Sequence, residues 1–280
     1  MSDAGPSDTV QSDIGPLALA APVAGRSGAP VLVLGNSLGT SAEVWDRQVP
    51  VLSENFTVVR YELPGHGRSS ARPGPYTIAE LGAGVLALLD ALGVDRAGYC
   101  GISLGGMIGM WLAANAPSRI AALGLVCTAA HLPPAGDWRE RAARVRSDGM
   151  ASISAAVISR WFTPAYSALA PAVVAGFRAG LERTDPDGYA GCCEAIADMD
   201  LRPALPAITA PTLVISGADD PATPPEYGAA IASQIDSARL EVIPGAAHLA
   251  AVSAPDPVTA ALSDHLLTVA VSDATWRDGR

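Results

Sequence analysis

No run rich in Lys or Arg interrupts this sequence, and its formal net charge is −10. A nucleic-acid partner would need a basic face, so none is expected. No apolar stretch approaches the ~20 residues of a membrane-spanning helix, so no membrane partner is expected either. The opening Met1-Ser2-Asp3-Ala4-Gly5-Pro6 segment is acidic and has neither the basic nor the apolar part of a secretory signal. That leads to the expectation of a cytoplasmic protein. Cysteine is scarce, and Cys100, Cys127, Cys192 and Cys193 show no metal-ligand spacing. Adjacent Cys192 and Cys193 could pair only by straining the backbone, so all four are read as reduced core residues. No metal is expected.

What is present is a chain that can bury a large core: 49% of its 280 residues are hydrophobic and only 16% are charged. Short apolar runs recur at 31–34, 56–61, 97–100, 122–126, 212–215 and 240–243. Runs apolar on both faces suit parallel strands covered on both sides by helices. Helical stretches at 78–92 and 107–116 lie between them, ended by Gly93 and Pro117. This alternation predicts an α/β protein with a parallel sheet. From about 131 to 200 the rhythm breaks. Helical patches at 138–146 and 150–161 read as an insertion between two sheet strands. No internal repeat is present.

Gly101-Ile102-Ser103-Leu104-Gly105 matches G-x-S-x-G, with a strand before it and an apolar, small-residue helix after it. A serine lifted above a sheet edge on a tight strand-to-helix turn needs a strained backbone and room on either side, which glycine supplies. Ser103 is the candidate nucleophile, and the Leu104 N–H is placed to face an oxyanion. The setting resembles that of the α/β-hydrolase superfamily. The resemblance implies a mostly parallel central sheet flanked by helices. Its expected parts are a loose tail at 1–14, a core at 15–130 and 201–270, a helical lid at 131–200, and a tail at 271–280.

The resemblance also implies the chain order serine, acid, histidine. Of the four histidines, His66 precedes the serine and His131 comes too early to leave an acid-bearing strand between. His265 lies in a terminal helix at 258–269 and is read as solvent-facing. His248, in the loop after the last strand, is the candidate base. Asp219 and Asp220 both follow the strand at 212–216, and either could orient an imidazole. Related sequences carry G-x-x-D here, which selects Asp220 and leaves Asp219 as a solvated or capping residue. The loop Gly35-Asn36-Ser37-Leu38-Gly39-Thr40 follows the first core strand, where the second oxyanion donor is expected, so the Leu38 N–H joins Leu104. The turn from Glu62 to Ser69 is read as structural, with His66 bonded within its loop or forming part of the site wall.

More narrowly, the chain resembles the 3-oxoadipate enol-lactonases. The resemblance rests on Asn36-Ser37-Leu38-Gly39-Thr40 with Trp45-Asp46, and on Cys100 to Gly106. It also rests on Arg160-Trp161-Phe162-Thr163-Pro164, on Cys192-Cys193-Glu194-Ala195-Ile196, and on Ala247-His248-Leu249. One departure is Pro64, where the lactonases usually carry arginine. No decarboxylase domain, of the kind fused to some family members, is expected. The resemblance implies a small-molecule lactone or ester substrate and no cofactor, with a lid over the serine. Trp161 and its neighbour Arg160 are the candidate substrate contacts. A substrate carboxylate calls for a cation, and Arg139, Arg141 and Arg144 also lie in the lid. The alternatives are a general carboxylesterase, a carbon–carbon bond hydrolase, a cofactor-free haloperoxidase-like hydrolase, or a small-molecule receptor built on the same pocket. The oligomeric state is not written in the sequence.

Overall fold

The computed structural model describes residues 9–10, 17–18, 25, 28–71 and 73–277. Two short strands, β1 (Thr9–Val10) and β2 (Leu17–Ala18), pair antiparallel. The segment expected to be a loose tail therefore contains a strand; its other residues lie outside the described ones.

The main sheet has six strands: β3 (Val31–Gly35), β4 (Thr57–Arg60), β5 (Ala97–Ile102), β6 (Ile120–Val126), β7 (Thr212–Gly217) and β8 (Ala238–Ile243). All pairings are parallel, in the order β4-β3-β5-β6-β7-β8. The inner strands β5, β6 and β7 are buried at every residue, as continuous apolar runs demand. β8, at the edge, is only partly buried.

Helices cover the sheet. α1 (Val49–Leu52) and α2 (Ile78–Ala91) come first. Thr77 starts α2 with a reciprocal cap, its hydroxyl accepting from the Glu80 N–H while Glu80 accepts from the Thr77 N–H. α3 (Leu104–Asn115) follows β5 directly and is buried on nearly all sides. Between β6 and β7 lie five helices: α4 (Ala135–Asp148), α5 (Ala151–Trp161), α6 (Pro164–Leu169), α7 (Pro171–Glu182) and α8 (Pro186–Asp198). After β7 come α9 (Pro225–Ala232), α10 (Ala250–Ser253), α11 (Pro255–Ser272) and α12 (Ala274–Arg277).

Two expectations are corrected at the C-terminus. His265 does not face solvent: it is buried on α11, on the face shared with Val258, Leu262 and Val269. Nor is 271–277 simply a tail; 278–280 lie outside the described residues. Trp276 on α12 is buried, stacks on Phe56 at 5.5 Å between centroids, and donates its indole N–H to the Val31 carbonyl at 3.0 Å. Gly98 makes the room, because a Cβ there would come within 2.5 Å of the indole. Among the described residues, no helix is long and apolar enough to cross a membrane.

The topology places a site. β3 pairs with β4 on one side and β5 on the other. The chain therefore reverses direction across the sheet between β3 and β5, and the loops leaving these two strands diverge. Ligands of open parallel sheets bind in such a crevice, beyond the carboxyl ends of the strands. Gly35 and Gly101 are register partners, so the loops starting at Asn36 and Ser103 emerge level with each other.

Candidate active site

Ser103 has φ 54° and ψ −113°, a strained conformation for a residue with a side chain. The neighbours hold it there. Its N–H donates to the Val126 carbonyl at 2.9 Å, and its carbonyl accepts from the Thr128 hydroxyl at 2.7 Å and the Met107 N–H at 3.0 Å. A Cβ at Gly101 would lie 2.2 Å from the Gly105 backbone, and one at Gly105 2.6 Å from the Gly35 backbone. Neither clash can be relieved by turning a side chain, so the two motif glycines are what let the elbow close.

Asp220 lies in the loop after β7. Its Oδ1 accepts from the N–H groups of Ala222 and Thr223, at 2.8 and 3.0 Å. Its Oδ2 accepts from the Thr223 hydroxyl at 2.7 Å and meets His248 Nδ1 at 2.8 Å. Burial alone would push this carboxyl up, but the charge and hydrogen bond of His248 and the Thr223 donors outweigh it and hold it at about 2. The acid is thus ionised and fixes the His248 tautomer, with the proton on Nδ1 and Nε2 left to face the cavity. Asp219 is exposed and takes no part in this contact. The His248 loop is tied to the lid: its N–H donates to the Arg160 carbonyl at 3.4 Å, and the Leu249 N–H to that of Trp161 at 3.1 Å.

Ser103 and His248 line one cavity of about 340 Å³, together with Leu38 and, from the lid, Trp138, Arg141, Arg160, Trp161 and Tyr189. Among the described residues, neither the Leu38 nor the Leu104 N–H donates to a protein acceptor. Two free N–H groups, a strained serine and a carboxylate-backed imidazole at one crevice are the parts that acyl transfer through a tetrahedral oxyanion requires. No cluster of three His, Cys, Asp or Glu side chains that could hold a metal occurs among the described residues.

The arginines of α4 and α5 separate sharply. Arg139 pairs with Asp198, Arg144 with Glu140 at 2.8 Å, and Arg146 with Glu194 and Asp187 at 2.5 and 3.3 Å. None of these three lines the cavity. Arg141 and Arg160 do, and among the described residues neither has a carboxylate within ion-pairing distance. Arg160 is exposed, whereas Arg141 is half-buried with its guanidinium 4.5 Å from the centre of the Trp138 ring. Trp161 both lines the cavity and packs edge-on against Phe177, with centroids 6.4 Å apart. Sequence reasoning singled out Arg160 beside it and left Arg141 among several; the contact of Arg141 with Trp138, three residues before it on α4, was the available signal.

The sheet, the switch-point crevice and the serine elbow define an α/β hydrolase, and the chain belongs to that family: the α/β hydrolase fold model matches residues 30–169 and 178–255. The protein is a hydrolase. Within the family it is 40% identical to 3-oxoadipate enol-lactonase 2 of Acinetobacter baylyi over 231 residues, 82% of this chain and 86% of that one. The crystal structure of the enol-lactonase from Burkholderia xenovorans LB400 superposes with a TM-score of 0.90 at 40% identity, covering 92% of this chain and 99% of that one. A thermophilic esterase from Thermogutta terrifontis, studied with malate bound, has a TM-score of 0.87 at 28% identity, covering 93% and 98%.

Proposed function

We propose that the protein opens 3-oxoadipate enol-lactone to 3-oxoadipate, with Ser103, His248 and Asp220 as its triad. The observation that carries the substrate assignment is Arg141, a half-buried cation that, among the described residues, has no carboxylate within ion-pairing distance and lines the cavity that holds Ser103 and His248. The likeness to two enol-lactonases at 40% identity supports it.

In this reading the substrate carboxylate sits against Arg141, and the lactone carbonyl lies over Ser103. His248 Nε2 takes the Ser103 proton as the oxygen attacks, and Asp220 stabilises the imidazolium. The N–H groups of Leu38 and Leu104 hold the oxyanion. Collapse breaks the ring C–O bond. The leaving enol oxygen takes the proton back from His248, stays tethered in the acyl-enzyme, and becomes a ketone. Water, deprotonated by His248, then attacks the ester carbonyl, and its collapse returns the proton to Ser103.

The test compares the enol-lactone with its methyl ester in wild type, Arg141→Ala and Arg139→Ala. Loss of one charge-assisted hydrogen bond costs roughly 1.5–3 kcal/mol, or about 10- to 150-fold in kcat/KM. Arg141→Ala should erase the preference for the free acid and leave neutral aryl esters nearly untouched, while Arg139→Ala keeps it. Equal kcat/KM for acid and ester in wild type would reduce the reading to a general carboxylesterase.

A further inference from the structure

Behind the loop that carries Leu38 stands a buried carboxylate that this mechanism leaves unused. Glu62 follows β4 and is buried. Its Oε2 accepts from Asn36 Nδ2 at 3.2 Å and from the Ala42 N–H at 3.1 Å, and Oε1 lies 3.3 Å from the same Ala42 nitrogen. Asn36 and Ala42 are the two ends of the loop, and Leu38 lies between them. The middle is fixed from the same turn. The Gly39 N–H donates to His66 Nε2 at 2.9 Å, while His66 Nδ1 donates to the Pro64 carbonyl at 2.8 Å. Asn36 in turn reaches the nucleophile's elbow, its carbonyl accepting from the Gly105 N–H at 3.0 Å.

Glu62, a group that only accepts, thus touches both ends of the loop, sharing Asn36 Nδ2 with the Tyr61 carbonyl at 2.8 Å. Both partners of Glu62 are N–H donors, and a carboxylate can serve both at once. Protonating Oε1 leaves Oε2 a neutral carbonyl oxygen, a weaker acceptor for both donors, and sets an O–H against the Ala42 N–H, so both ends of the loop are held less firmly. Leu38 N–H must point at a developing oxyanion to be useful, and a shift of about 1 Å can cost on the order of 100-fold in rate.

We propose that ionised Glu62 is a positioning residue of the hydrolytic site: it sets the Leu38 N–H for the oxyanion, and protonating it relaxes the loop and slows turnover. The inference rests on the reading of Ser103 and His248 as that site.

The surroundings let this group titrate near neutrality. Burial pushes the Glu62 carboxyl up to about 7; the Ala42 N–H pulls down, Glu43 adds to the rise, and Arg60 and Arg68 oppose it. Arg60 is itself paired with Asp46 at 2.6 Å. A cavity of about 380 Å³ borders Glu62, and Arg183, at the end of α7, closes its lid side. His66, wholly buried, is held down at about 4 and stays neutral through this range. The sign follows: as pH rises through 7, Glu62 gains its charge and kcat rises with it.

The experiment measures kcat and KM separately for an aryl acetate and for the enol-lactone, from about two pH units below neutrality to two above. The proteins are wild type, Glu62→Gln, Glu62→Asp and Ser103→Ala. In wild type the acid limb of log kcat should include the ionisation of Glu62. Glu62→Gln should lower the alkaline plateau of kcat about 10- to 100-fold, leave KM within about twofold, and change the limb by removing that ionisation. Glu62→Asp, which keeps a carboxylate, should keep the ionisation with its midpoint moved. A Glu62→Gln protein whose kcat and acid limb match wild type overturns the proposal. If wild type hydrolyses neither substrate, the hydrolytic reading fails and the inference with it. If Ser103→Ala abolishes turnover while Glu62→Gln matches wild type, the inference alone fails.

Discussion

Acidification should leave the stability contributed by the 62–69 turn nearly unchanged, and that flatness conceals two opposed effects of similar size. His66 is wholly buried, and its imidazole is lowered from 6.5 to about 4. The native state refuses a proton that the unfolded chain accepts, so its contribution is complete above 6.5 and is lost as pH falls toward 4. Glu62 is raised from 4.5 to about 7. Here the native state keeps a proton that the unfolded chain releases, so its contribution is complete below 4.5 and is lost as pH rises through 7. Going from pH 7 to 4.5, linkage gives a loss of about 2.5 kcal/mol from His66 and a gain of about 2.5 kcal/mol from Glu62. Glu62→Gln removes the second effect and leaves the first. Urea unfolding followed by tryptophan fluorescence, for wild type and Glu62→Gln at a series of pH values, isolates the difference because all other groups cancel. With a slope of about 3 kcal/mol per molar urea, the variant's midpoint should fall by about 0.8 M more than that of wild type over this interval. Parallel midpoint curves would show that the two groups do not oppose each other as the buried geometry requires.

Three further outcomes test other parts of the structure. Ser103→Ala should fold normally and lose turnover by about 10³-fold or more, and Asp220→Asn should lose orders of magnitude while Asp219→Asn changes little; steady-state kinetics on one ester decides, and the reverse aspartate ranking would refute the contact seen at His248 Nδ1. Trp276→Ala should cost about 3–5 kcal/mol in urea unfolding, since it empties the space between Phe56 and Gly98, and a loss near zero would mean that α12 does not dock on the sheet.

Much of this architecture was legible because parallel strands buried on both faces write themselves as continuous apolar runs. Every such run in the sequence is a strand of the main sheet, and the boundaries moved by only a few residues, as at β5, which extends from Ala97 through Gly101 to Ile102. The serine elbow was legible for a related reason: its glycines answer to backbone approaches of 2.2 and 2.6 Å, which no other residue type tolerates. The meeting of Asp220 and His248 could be anticipated because each follows a strand end, and topology fixes where strand ends go.

What stayed hidden depends on contacts between segments far apart in the chain. Arg139 and Arg146 drop out as candidates because Asp198 and Glu194 on α8, 59 and 48 residues away, match them. A cation's availability is set by what neutralises it, and spacing along one helix does not reveal partners on another. His265 was misjudged although its spacing carried the answer: 258, 262, 265 and 269 form one helical stripe, and an imidazole on that stripe is carried inward with its apolar neighbours. The polar type of a single residue does not override the periodicity of its helix. Glu62 is the same problem in a turn. Its type suggests solvent, yet the ends of the Leu38 loop supply donors that can be satisfied only by an acceptor brought inside. A buried carboxylate there is costly unless those donors need it, so the loop around Leu38 is fixed by donors that meet Glu62 and His66.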